Sequence, residues 1–179
     1  MKRIALACFL LAFGAAAKEP AAPPPLTQEN RFPSGAFTFK TPAGWKVEPV
    51  PDLPEAIQAS GDGVLVRFVY QAGDAGFDSL HVTCMLVRLA HEKDSAPQVR
   101  YEYDFLSGEV NEMRILDSAF EVVYDDPIGG SRAWRQRNVT VVGKGHSLCA
   151  ISYAPAALWK KSKATRATLD GILASVAFP

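Results

Sequence analysis

From Ser34 onward the apolar and polar positions fall into short runs broken by glycine and proline, the pattern of strands joined by tight turns. AFTFK (36–40) leads through the turn TPAG into WKVEPV (45–50). Two later runs, GVLVRFVY (63–70) and LHVTCMLVRL (80–89), are apolar at nearly every position, which predicts strands covered on both faces. The period then changes. Val99, Tyr103, Leu106 and Val110 fall at i, i+4, i+7 and i+11 behind a capping Ser95 and an early Pro97, which predicts a helix. EMRILDSAFEVVY, SRAWRQRNVTVV and HSLCAISYA follow, separated by the turn sequences DDPIGG and GKG, and predict a three-strand antiparallel meander. A last helix is expected from Pro155, with Leu158, Thr165, Leu169, Ile172, Leu173 and Val176 on its inner face, and SVAF as a short closing strand. The expected class is α+β: an antiparallel β-sheet flanked by helices.

The N-terminus carries a different pattern. Lys2 and Arg3 precede ten apolar residues, Ile4 to Phe13, and the small residues Ala15 to Ala17. That order predicts a signal peptide over 1–17, too short to span a bilayer and cleaved near Ala17. Residues 18–33 hold five prolines and predict a stiff, disordered leader. Residues 34–179 then form one domain. The whole chain has 19 basic and 19 acidic residues; losing Lys2 and Arg3 leaves 17 against 19. Such a balance gives no support for nucleic acid as a partner. A periplasmic or secreted location is expected, with no stable membrane insertion after cleavage.

An opening of the form F-x-F-K-T-P-A-G-W, from Phe37 and Phe39 through Pro42 and Gly44 to Trp45, comes before the strand pair, helix, meander and closing helix. The chain then ends on I-L-A-S-V-A-F, with Ser175 and Phe178. This arrangement resembles the PsbP-like α/β/α sandwich family. That group takes in the photosystem II protein PsbP, a Ran-binding import factor and many small exported bacterial proteins. The resemblance implies a scaffold that binds proteins or small ligands. It implies no catalytic set, since the matching residues are structural and a fold does not fix a function.

Chemistry is suggested most strongly by HVTC (His81 to Cys84) and HSLC (His146 to Cys149). Both lie in strand patterns, where residues three apart point to opposite faces and stand about 10 Å apart along the chain. Zinc holds its ligands at about 2.0–2.3 Å, so neither unit can supply both of its residues to one ion without a bend. Cys84 and Cys149 each sit on an apolar strand face before an expected helix. If their strands are neighbours, an exported chain favours a Cys84–Cys149 disulfide. Buried free thiols, or a metal- or thiol-dependent activity centred on His81, Cys84, His146 and Cys149, are the alternatives.

No other catalytic pattern stands out, and no cofactor or metal is expected. His91 falls in a charged loop, and Asp74, Asp78, Asp125 and Asp126 fit turns better than a calcium site. Two features suit partner binding. Trp134 shares a strand face with Arg132, Gln136 and Asn138, so it either stands exposed as a hot spot or packs beneath a helix. Lys160, Lys161, Lys163 and Arg166 cluster early in the last helix, where they oppose its dipole. The expectation is therefore a non-enzymatic accessory domain that binds a protein partner or small ligand.

Overall fold

The computed structural model describes residues 4–5, 24–51, 53–74, 98–110, 112–126 and 130–179. Its strands are β1 (Ile4–Ala5), β2 (Gln28–Arg31), β3 (Thr38–Thr41), β4 (Lys46–Val50), β5 (Leu53–Gly61) and β6 (Val64–Ala72). They continue as β7 (Gln98–Val110), β8 (Met113–Asp126), β9 (Gly130–Gly143) and β10 (His146–Pro155). Helices α1 (Ala156–Lys161) and α2 (Lys163–Ala174) lead to β11 (Ala177–Phe178). One sheet has seven antiparallel strands in the order β4-β5-β6-β10-β9-β8-β7; the other has four, β1-β11-β3-β2.

Local chemistry sets the connections. Asp62 and Gly63 both take positive φ, 52° and 75°, the mirror-image turn that suits the twist of a two-residue hairpin between β5 and β6. Lys144 and Gly145 do the same between β9 and β10, at 55° and 77°. On one face of the large sheet Ile57, Ala59, Val66, Phe68, Val139, Val141, Leu148 and Ala150 are buried in one cluster with Leu169, Ile172 and Leu173 of α2. The small sheet closes this cluster with rings: Phe39 lies 4.5 Å from Phe68, and Phe37 lies 5.7 Å from Phe68 and 6.2 Å from Phe178. We call this the helix face. Cys149 and Ile151 are buried on the opposite face, with Val69 and Tyr153 packed beside them.

The meander, the last helical segment and the closing strand match expectation. The helix over 95–110 does not: Gln98–Val110 is strand β7. Its sequence, VRYEYDF from Val99 to Phe105, alternates apolar and polar strictly, and aromatic and β-branched residues favour a pleated surface. That period of two outweighs the coincidental helical spacing, so the described residues are mostly antiparallel sheet, with two short helices among them. The last helix is also in two pieces, because Ser162 is extended and its hydroxyl accepts from Thr165 N at 3.1 Å, capping α2. β5 lies in a stretch with no predicted element. The expected disordered leader is corrected over its second half, where Gln28–Arg31 pairs with β3 and Phe32, 4% exposed, stacks on Phe37 at 4.9 Å.

Gly61 has no room for a side chain. A β-carbon there would come within 2.4 Å of the Trp45 indole, which donates from Nε1 to Asp62 Oδ2 at 3.3 Å. Gly61→Ala should therefore destabilise the fold by about 1–3 kcal/mol, as overpacking does. Thermal unfolding checks this, at roughly 2–4 °C per kcal/mol for a domain of this size. An unchanged midpoint would show that the indole moves aside freely.

Candidate binding face on strand β9

Strand β9 places alternate side chains on the two faces of the large sheet. Arg135, Arg137, Val139 and Val141 take the helix face, and Trp134, Gln136, Asn138 and Thr140 take the other, as the register with β8 and β10 requires.

On the helix face both arginines of β9 are engaged. Arg137 donates to Asp117 in a fork, from Nε at 3.1 and 3.2 Å and from Nη2 at 2.6 Å, and reaches Asp170 of α2 from Nη1 at 2.6 Å. The Arg135 guanidinium lies 3.6 Å above the Trp159 ring of α1. Lys160 pairs with Glu121 at 2.8 Å, and Arg166 donates to the Trp159 and Lys160 carbonyls, closing the end of α1. Of the four cations expected as one partner-facing patch, Lys160 and Arg166 thus hold helix to sheet and helix to helix. Lys161 and Lys163 are exposed. Burial raises the Asp170 carboxyl above its usual range; Arg137 and Arg135 oppose that rise and Asp117 adds to it.

The opposite face differs. Trp134 is 37% exposed. Two residues along, Gln136 is 1% exposed, and two further Asn138 is 0% exposed. Gln136 Nε2 donates to Asn138 Oδ1 at 2.6 Å, while Gln136 Oε1 and Asn138 Nδ2 are buried without a partner. Arg67 of β6 lies on the same face. Its Nη2 donates to Gln58 Oε1 at 3.1 Å, and its buried Nε has no partner. Arg67 was missed in the sequence, although a lone cation within the apolar run GVLVRFVY was a signal for it. Arg132 belongs to β9 by its backbone; its side chain lies outside the described residues.

Cys149 is a buried free thiol. Its strand, β10, is flanked by β6 and β9, which place Val69 and Thr140 beside it. A neighbouring strand carrying Cys84 therefore has no place there, which removes the geometric premise for the disulfide in this sheet. Cys84, His81, His91 and Asp78 lie outside the described residues. His146 and Cys149 face opposite ways, with His146 Nδ1 3.0 Å from the Tyr70 hydroxyl and its ring 4.6 Å from Phe178. Among the described residues no three of His, Cys, Asp or Glu are grouped to hold a metal. Asp74 accepts from Gly145 N at 2.9 Å, a turn contact.

Solved structures share this arrangement. PsbP of the cyanobacterium Synechocystis sp. PCC 6803 matches with a TM-score of 0.63, covering 93% of this chain and 99% of that one at 10% identity. The fold is PsbP-like. A Bacteroides thetaiotaomicron VPI-5482 protein matches at 0.54 and 11% identity, over 86% of this chain and 49% of that one. The Ran-binding protein Mog1p of Saccharomyces cerevisiae reaches 0.49 at 10% identity, over 83% of this chain and 93% of that one. No protein-family model and no curated protein sequence matches. Identities this low show a shared fold and transfer no residue.

The two acids on Arg137 should respond differently to neutralisation. Asp117→Asn breaks the fork and should cost about 1–3 kcal/mol, the range for bonds to charged groups. Asp170→Asn should cost under about 1 kcal/mol, because its ionised form already bears a desolvation penalty. A carboxyl raised in the folded state contributes stability that is complete below its unfolded value and lost as pH rises through the folded one. The stability gap between wild type and Asp170→Asn should therefore move in favour of wild type as the solution is acidified. Chemical denaturation over acidic to neutral pH measures this; a gap moving the other way would show that Arg137, not burial, dominates Asp170.

Proposed function

We propose that this is an exported, non-enzymatic binding or accessory domain of the periplasm or cell envelope, whose ligand or partner meets β9 at Trp134. One observation carries the proposal: along one face of one strand an exposed indole is followed by amides that are buried and unsatisfied. Trp is favoured where a partner desolvates a surface, and native folds rarely leave buried amides unpaired. The PsbP-like scaffold supports the reading without specifying the ligand. The signal peptide expected over 1–17 supports export, and no helix among the described residues is long and apolar enough to cross a membrane. Cleavage there would remove β1 and leave β11 at the edge of the small sheet.

The metal- or thiol-dependent alternative is disfavoured by the opposite orientations of His146 and Cys149 on β10. The proposal is tested by intact mass of protein secreted by its own cells, followed by a thermal-shift screen of small metabolites and envelope peptides. The chain should begin near Lys18, and compounds that stabilise wild type should lose at least tenfold in affinity for Trp134→Ala, with the unliganded midpoint little changed. Hits that bind both proteins equally would remove β9 from the site. A chain retained with residues 1–17 would remove export.

A further inference from the structure

We propose that the outer edge of β11 is a strand-addition site for an extended apolar peptide segment of a partner, filled in the uncleaved chain by its own residues Ile4–Ala5. The inference rests on the export reading, since removal of 1–17 is what opens the edge; it does not depend on β9. In the structure Ile4 pairs with Phe178 and Ala5 with Ala177, antiparallel. That is how a sheet edge accepts a peptide, main chain to main chain. The segment seated there begins the apolar run Ile4 to Phe13.

Other edges of the two sheets are guarded. β2, at the far end of the small sheet, reads QENR, and two of its four residues are charged. β4, at one end of the large sheet, carries Lys46, Glu48 and Pro49, and its register shifts after Pro49. Charges, proline and bulges keep an edge from pairing with another chain. β11 lies in ASVAF (174–178), which has neither charge nor proline. Its two residues give a short ladder, and a cavity of about 410 Å³ beside them adds contact, lined by Arg31, Gly35, Thr38, Ala177 and Phe178 among others. One cross-strand row runs Arg31, Thr38, Ala177, Ala5. A peptide residue at the register position of Ala5 therefore faces the side on which Thr38 and Arg31 lie. The next position falls beside Phe178, whose ring is 6.2 Å from Phe37 and 4.6 Å from His146. An apolar residue there extends a cluster of rings, and a charged one would be desolvated against it.

The test is fluorescence anisotropy of a labelled peptide of residues 2–8, KRIALAC with its cysteine replaced by serine, titrated with the secreted chain and with the unprocessed chain. The secreted chain should bind it saturably, and the unprocessed chain at least tenfold more weakly because its edge is taken. N-methylation of the peptide at both Ile4 and Ala5, or Ile4→Asp in the peptide, should weaken binding at least tenfold; these changes leave the protein itself unaltered. Amide exchange at Ala177 and Phe178 should slow on binding, and an unrelated alternating peptide, KVVAVAK, should compete. No binding overturns the inference, as does binding that ignores N-methylation or leaves both amides unprotected. Failure of KVVAVAK to compete reserves the edge for the leader and overturns the partner. Concentration-dependent protection of the two amides without peptide assigns the edge to a second copy and overturns it too. A secreted chain that keeps 1–17 overturns the export reading and with it the opening of the edge; one that starts near Lys18 and ignores both peptides overturns this inference alone.

Discussion

Strand β10 is closed on both faces and on both edges, and the rest of the molecule is arranged around that constraint. Eight of its ten residues, Ser147 to Ala154, are buried or nearly so, between β6 on one side and β9 on the other. A strand in that position can carry polar groups only where partners are built for them. Ser147 donates to the Gly73 carbonyl at 2.7 Å, and His146 meets the Tyr70 hydroxyl at the strand's entry. The same demand passes to the strands beside it, and there the two faces part company.

Arg137 on β9 and Arg67 on β6 are the same residue in similar burial, one strand away from β10 on either side. Arg137 receives two carboxylates, and Arg135 beside it receives the face of an indole. Charge-assisted bonds of this kind are roughly twice as strong as neutral ones, and they tie α1 and α2 to the sheet beside the apolar contacts of Leu169, Ile172 and Leu173. Arg67 receives one neutral amide. Helix docking accounts for the first arrangement and has no bearing on the second. Among the described residues the asymmetry separates a charge that ties helix to sheet from one that bonds a neighbouring strand alone.

Much of this fold is legible in the sequence. The β8–β9–β10 meander follows from alternating apolar runs and, between β9 and β10, from a glycine-bearing turn whose positive φ angles only a few residues tolerate. β7 was obscured because its apolar residues satisfy a helical and a strand period at once, and the alternating aromatics decide in favour of the strand. β5 was hidden by Pro54 and by small residues, Ala56, Ala59 and Ser60, that give little hydrophobic contrast. The prolines of 18–33 concealed Gln28–Arg31, whose polar side chains are acceptable only because this strand sits at an edge of the small sheet. The exposure of Trp134 was left open by the sequence, since period two places it on a face without saying how far that face is covered.

The same arithmetic governs both the motif that attracts attention and the residue that does not. HSLC has the composition of a metal site, yet three strand positions turn His146 and Cys149 away from each other, and the spacing that would make a ligand pair on a helical turn excludes one here. Arg67 has no motif around it. It is only a charge at an odd position of a strand whose odd positions face the polar side of β9, and that parity sets it in one row with Asn138. In a sheet closed on both faces, a cation in an apolar run must meet an anion, contact water, or pay for its burial. Among the described residues carboxylates meet the arginine on the helix face, while Arg67 bonds the neutral Gln58, so the same parity that parts His146 from Cys149 sets these two arginines in different surroundings.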